Sequence, residues 1–236
     1  MRGEDAFDQE LTHALGSSDL DPAGAIEEAQ DRVAGVTRRD LLLTAAVGGA
    51  AVGALALPPE AAALSKGDID ILNYALVLEY LQASFYTEAE RRGALRGEAR
   101  KAARIVGAVE RAHVKALEGV LGRRAVKRPF FNFRGTTENP DAFIRTAVAF
   151  EDLATAAYKG QAPRIQSRQV LAAAISIHSV EARHAAWIRF LAGVRPAGDA
   201  LDEPKSMAQT LRLVRSTHFI VARPTTEGGG KPRFTG

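Results

Sequence analysis

Cysteine is absent from the chain. That absence excludes disulfides and thiolate metal sites, so any bound metal must be held by nitrogen and oxygen donors. Aromatic residues are scarce at 6%, and runs of β-branched residues are short, which argues against a strand-built core. A long, strongly apolar run is also missing. The stretch from Leu41 to Leu57 is short and rich in Gly and Ala, whereas a stable transmembrane helix needs ~20 strongly apolar residues. What is present is abundant Ala and Leu, 46% hydrophobic and 25% charged residues in a chain of 236. That is enough apolar material for one well-buried helical domain with appendages.

Charge is unevenly spread. Residues 1–63 carry 4 Lys and Arg against 11 Asp and Glu, so the remainder is basic by about 10 although the whole chain is only +3. A basic balance of this kind suits contact with anionic polymers or lipids, but dispersed Lys and Arg on helices are ordinarily just solvated. Nothing points to a specific nucleic acid.

Residues 37–63 carry Thr37-Arg38-Arg39-Asp40-Leu41-Leu42-Leu43, a weakly apolar stretch, and then Ala61-Ala62-Ala63. A twin arginine, a modest apolar region and an A-x-A site, in that order, form an export signal of the twin-arginine type. Residues 1–63 are therefore expected to be an acidic leader plus signal peptide. Cleavage near Ala63 is favoured over retention as an anchor, and the protein is expected outside the cytoplasm. The twin-arginine machinery carries folded proteins, so a metal loaded in the cytoplasm could travel with the chain.

Downstream, the hydrophobic period is helical in four blocks. The first, about Asp68 to Arg92, places Leu72, Leu76, Glu79, Ala83 and Tyr86 on one stripe before Gly93. In the second, about Glu98 to Leu121, the stripe is Val106, Glu110, His113, Leu117 and Val120, with Gly122 as C-cap. Asn139-Pro140 opens the third as N-cap and first helical residue; Ile144, Val148, Glu151, Thr155 and Tyr158 follow, and Gly160 and Pro163 mark its frayed or kinked end. The fourth, about Ser167 to Ala192, carries Ala174, Ile177, Glu181, His184, Ile188 and Leu191. Each stripe is interrupted near its middle by a charged residue.

The blocks repeat as a pair. Glu79-x-Leu81 with Tyr86 matches Glu151-x-Leu153 with Tyr158, and Val109-Glu110-x-x-His113 matches Val180-Glu181-x-x-His184. Between the pairs, Gly122 to Asn139 contains Pro129, Phe130, Phe131 and Phe133. At ~3.3 Å per extended residue this segment can run the length of a bundle of ~38 Å. The expected fold is an all-α antiparallel four-helix bundle over residues 64–222, including a C-terminal extension. A long crossover joins helices 2 and 3, the second pair is in pseudo-twofold relation to the first, and a flexible tail covers 223–236. The Phe residues are expected to pin the strap, with peptide binding as the lesser reading.

Residues three apart on a helix share a face, so Glu110/His113 and Glu181/His184 each aim two donors at one point. A Glu from each of two helices plus Glu-x-x-His from each of the other two is the ligand pattern of di-iron and di-manganese carboxylate bundles. Glu79, Glu110, His113, Glu151, Glu181 and His184 are therefore the candidate metal ligands. A lone Glu-x-x-His is common on solvated helices; two in register with two further Glu, all on apolar stripes, are not. Two divalent cations would balance the four carboxylates, whose burial unpaired would be costly. A degenerate or purely structural site is the remaining alternative.

The segments Asp68-Ile-Asp-Ile-Leu-Asn-Tyr-Ala-Leu, Leu78-Glu-Tyr-Leu, Ala157-Tyr-Lys-Gly, Val180-Glu-Ala-Arg-His-Ala, Asp202-Glu-Pro and Phe219-Ile-Val resemble the bacterial ferritin-like family that includes desiccation-related proteins. The resemblance runs from about Asp68 to Val221 and implies a ferritin-like bundle, often exported. Similarity to bacterioferritin and rubrerythrin implies that Glu79 and Glu151 are terminal ligands, Glu110 and Glu181 bridging ligands, and His113 and His184 one per metal. Val109 and Val180 depart from the acidic residue that several di-iron enzymes place before that Glu.

The cofactors expected are two divalent metal ions, Fe or Mn, since carboxylate and imidazole suit both. The partners expected are peroxide or dioxygen, and a homo-oligomer is an open alternative. A di-metal oxidoreductase, catalase-like, peroxidase-like or ferroxidase, is the leading expectation. The competing one is a non-catalytic envelope or stress-protective bundle with a structural or vestigial metal. Iron storage in a cage ranks lower, because strap, leader and extension are not parts of a compact cage subunit. Tyr86 and Tyr158 are read as core packing with satisfied hydroxyls ahead of redox or ligand-supporting work. His178 and Arg183 are read as either neighbours of the site or ordinary packed and solvated residues, and His218 as surface.

Overall fold

The computed structural model describes residues 64–222. The expected leader with Arg38-Arg39 and Ala61-Ala62-Ala63, and the expected tail over 223–236, lie outside the described residues. Within them run α1 (Lys66–Arg92), α2 (Gly97–Leu121), strand β1 (Phe130–Phe131), α3 (Pro140–Gln161), α4 (Arg168–Leu191), α5 (Met207–Ser216) and strand β2 (Ile220–Val221). No helix among the described residues is long and apolar enough to cross a membrane.

The helix starts follow from short polar side chains that satisfy otherwise orphaned backbone donors. Ser65 Oγ accepts from the Asp68 backbone N–H at 3.0 Å, and Asn139 Oδ1 from that of Ala142 at 2.9 Å, with Pro140 next. Ser167 Oγ caps α4 by accepting from the Val170 backbone N–H at 3.3 Å. The buried Asp68 reinforces this last start from a distance, because its two oxygens accept from the backbone of Gln166 and Ser167 at 2.9 and 3.1 Å. Gly93 ends α1 with φ 65°, a conformation only glycine adopts without strain.

The four long helices form an all-α bundle in which the contacts fix the directions. Tyr80 meets Glu118 and Thr87 meets Arg111, so α1 and α2 are antiparallel. Tyr86 meets Glu151 and Tyr158 meets Glu79, so α1 and α3 are too. Gly107 lets α2 approach closely, since a Cβ there would lie 2.7 Å from Tyr86 Cβ and from a Glu90 oxygen.

The strap between α2 and α3 lies along α1. Asn73 holds its start by donating to the Arg124 carbonyl at 3.0 Å and accepting from the Val126 N–H at 2.8 Å. Thr137 anchors its end by donating to Glu88 at 2.6 Å. Those anchors are separated by about 22 Å of helix at 1.5 Å per residue, so the segment crosses over as the spacing implied. Phe131 and Phe133 are buried while Phe130 is 40% exposed. Phe133 packs edge-on against Phe85, which stacks on Phe143 at 5.1 Å. As a result α1 is buried on nearly all sides, not only on its sequence stripe.

Two features go beyond the sequence reading. Gly160 and Pro163 do flank the frayed end of α3, which closes at Gln161 in a 3₁₀ turn, Ala162–Arg164. The missing side chain of Gly160 also makes room for the extension, because a Cβ there would stand 1.9 Å from the Lys205 carbonyl oxygen. The extension also contains a helix, α5, opened by a capping box between Ser206 and Gln209. Beyond it, β2 pairs antiparallel with β1 and so ties the chain's later part to the strap.

Candidate metal centre

Each bundle helix delivers its mid-stripe acid to one buried point. Glu79, Glu110, Glu151 and Glu181 have no exposed surface, and His113 and His184 are 7% exposed. Two overlapping groups result, Glu79/Glu110/His113/Glu181 and Glu110/Glu151/Glu181/His184, each with its donor atoms within 4.8 Å of one another. Glu110 and Glu181 belong to both. His113 Nδ1 lies 3.3 Å from Glu79, 3.5 Å from Glu110 and 3.0 Å from Glu181. His184 Nδ1 lies 2.8 Å from Glu110 and 3.5 Å from Glu151. The two groups are thus related by exchange of the helix pairs.

These donor atoms approach one another as close charge pairs without making hydrogen bonds. Glu79 Oε2, both oxygens of Glu110, Glu151 Oε2, Glu181 Oε1 and both histidine Nδ1 atoms are buried without a hydrogen-bond partner. Orphaned buried polar atoms are expensive and rare, and here seven of them face two points. A cation at each point would satisfy them all, so the residues present fit the metal that the donor set implies.

Electrostatics describes the same convergence in protons. Burial pushes the Glu110 carboxyl up to about 7, partly opposed by His113 and His184 and reinforced by the Glu151 and Glu79 charges. Burial, and then the Glu110 and Glu79 charges, hold Glu181 well above the carboxylate range. Burial alone would lower both histidines, but the Glu79 charge together with contacts with Glu110, Glu181 and Glu79 outweighs it at His113, and contacts with Glu110 and Glu151 raise His184 to about 10. Burial would raise Glu79 as well; the His113 charge and donor contacts hold it below its ordinary value. Without metal, protons occupy this centre, so cations must displace them on binding.

The tyrosines are buried with satisfied hydroxyls, as expected, and their partners tie them to the centre: Tyr86 donates to Glu151 Oε1 and Tyr158 to Glu79 Oε1, each at 2.5 Å. Each hydroxyl takes the oxygen that faces away from the histidines and leaves Oε2 to the centre. The signal was available in the sequence: both tyrosines follow their helix's Glu by seven residues. Any antiparallel register that sets Tyr86 beside Glu151 also sets Tyr158 beside Glu79.

Gln82 was missed. It is buried, one turn after Glu79, and its Nε2 donates to Glu181 Oε2 at 3.4 Å. The other candidates lie outside the centre. Arg183 is exposed. Burial lowers the His178 pKa, and its charged neighbours are Asp202 and Lys159. Val109 and Val180 offer the histidines no acidic partner.

The sequence profile of the ferritin-like domain family matches residues 67–194, which spans all four bundle helices. No curated protein matches the chain.

Proposed function

Because the chain belongs to the ferritin-like domain family, we propose that its bundle holds two divalent metal ions, iron or manganese, and acts by redox chemistry on peroxide or dioxygen. The observation that carries this reading is the set of seven partnerless donor atoms around two points. Glu79 with His113 would hold one ion and Glu151 with His184 the other, while Glu110 and Glu181, which belong to both groups, would serve both. The ions would supply the electrons and the Lewis acidity.

The chain's own residues do the rest. Complete burial of the four carboxylates keeps water away and strengthens every charge interaction inside. Tyr86 and Tyr158 fix the terminal carboxylates by their outer oxygens and hold a proton one bond from each. Their pKa values lie well above the usual phenol range, first through burial and then through the neighbouring Glu charge, so they remain proton donors. The absence of an acidic residue at 109 and 180 favours a second reading, a stress-protective bundle whose metals are structural.

The twin arginine and the A-x-A site of residues 37–63 support a location outside the cytoplasm, with the metal acquired before passage. One preparation tests location and chemistry together. The protein is purified from the extracytoplasmic fraction, its N-terminus is sequenced, its metals are counted, and peroxide consumption is measured on the same sample. A start near Leu64, two ions per chain and turnover are expected. Metal without turnover moves the assignment to the structural reading, and a chain that neither holds nor takes up metal sinks both.

A further inference from the structure

The two halves of the bundle match residue by residue, with Glu79, Tyr86, Glu110 and His113 answering to Glu151, Tyr158, Glu181 and His184. One position beside the centre breaks the match. Gln82 is 2% exposed and its amide Nε2 faces Glu181 Oε2 at 3.4 Å. Its counterpart at the same offset from Glu151 is Ala154, equally buried and without a donor. Only the NH₂ side of a carboxamide can donate to a carboxylate, so the amide's orientation follows from its partner.

The consequence falls on the two shared carboxylates. Glu110 has both oxygens without a partner, Oε1 lying 2.8 Å from His184 Nδ1 and Oε2 lying 3.5 Å from His113 Nδ1. Glu181 has only Oε1 without a partner, 3.0 Å from His113 Nδ1, because Oε2 is held by Gln82. A metal that takes Oε2 must displace that amide or share the oxygen with it.

We infer that Gln82 is a positioning residue that makes the two metal positions unequal. By holding Oε2 it commits Glu181 to the position of Glu79, Glu110 and His113, which then has four uncontested donors. The position of Glu151 and His184 retains Glu110 as its single uncontested shared carboxylate and so has three. The first position fills first and holds its ion more tightly. The second fills later and exchanges its ion faster. This inference rests on the two-metal reading above.

The test is a titration of the chelated full chain with Mn²⁺, followed by calorimetry and by the spin signal of free Mn²⁺. Two steps are expected, separated by about tenfold or more, the size of effect that hydrogen bonds to ligands ordinarily have. His113→Ala should remove the tight step and His184→Ala the weak one. Gln82→Met keeps the length of the side chain and removes the donor, so the two steps should converge while the far-ultraviolet dichroism stays that of the wild type. Gln82→Glu is the second variant: a carboxylate there should repel Oε2 and bring in a donor of its own, abolishing the tight-then-weak order. Two equal steps in the wild type, or an unchanged separation in both Gln82 variants, would overturn the inference while leaving the two-metal reading intact. No Mn²⁺ uptake by the wild type would end that reading and this inference with it.

Discussion

A carboxylate that offers one oxygen to a metal needs something to fix the other, and at Glu79 and Glu151 that is a tyrosine hydroxyl from the opposite helix pair. Replacing either tyrosine by Phe keeps the buried ring and orphans a buried oxygen. Tyr86→Phe and Tyr158→Phe should each cost about 1–3 kcal/mol in stability and about tenfold or more in affinity for the adjacent ion. By the exchange symmetry of the halves, the two losses should be alike. Denaturant unfolding and metal titration measure both quantities, and wild-type values in both would return the tyrosines to plain packing. At this scale the sequence was legible where partners are local. Glu110 and His113 share a helix face three residues apart, so their convergence needs no knowledge of the fold. Tyr86 and Glu151 are 65 residues apart, and Gln82 and Glu181 are 99 apart. Those contacts depend on the register between helices, which no local period encodes.

Among the elements, helices that bury a long stripe were readable and the one that rests on another element was not. The stripe residues expected on α1 are all buried, and the Asn139-Pro140 start of α3 stands where its capping chemistry put it. α5 buries only Thr210 and Val214 of its ten residues, too little periodicity to announce a helix, although Ser206 and Gln209 carried its capping signal. Its seat on α3 gives Gly160 a second role besides marking the frayed end of that helix. Glycine inside a helix reads as a breaker because it costs about 1 kcal/mol against Ala, yet here it passes a neighbouring backbone. The two accounts predict opposite signs for Gly160→Ala. Propensity alone would stabilise by about 1 kcal/mol. The 1.9 Å approach to the Lys205 carbonyl, beside the Lys205 N–H bond to Ala156 at 2.9 Å, requires the extension to shift, and a shift of this kind costs about 1–3 kcal/mol. A lowered melting temperature, faster amide exchange over 196–218 and unchanged metal uptake are the expected results. A stabilised variant with an undisturbed extension would show that the contact is soft.

For the molecule as a whole, the internal repeat implied a crossover and a shared central site, and both follow from one constraint: each helix pair supplies half of the buried donors. That arrangement makes stability a function of what fills the centre. In the metal-free chain, Glu110 is raised from 4.5 to about 7 and Glu181 is raised as well, while His184 is raised from 6.5 to about 10 and His113 is raised too. Each therefore binds its proton more tightly folded than unfolded. Their stabilising contribution is complete below the unfolded values and is lost as pH rises through the folded ones. Glu79, whose pKa is lowered, acts oppositely: its contribution is present above 4.5 and is lost as pH falls. The metal-free protein should consequently lose stability from pH 5 to pH 9. Metal should reverse the slope, because cations held at this centre would compete with those same protons and bind the folded chain alone. Glu181→Leu should abolish paired-metal binding and leave the metal-free fold as stable as wild type or more so at neutral pH, since a repelled buried acid is replaced by an apolar side chain. Melting temperatures of both proteins, with chelator and with Mn²⁺, across that pH range decide the matter. A metal-free variant strongly destabilised at neutral pH, together with a wild type indifferent to metal, would mean that these carboxylates are partners of the histidines in a purely structural ion-pair network.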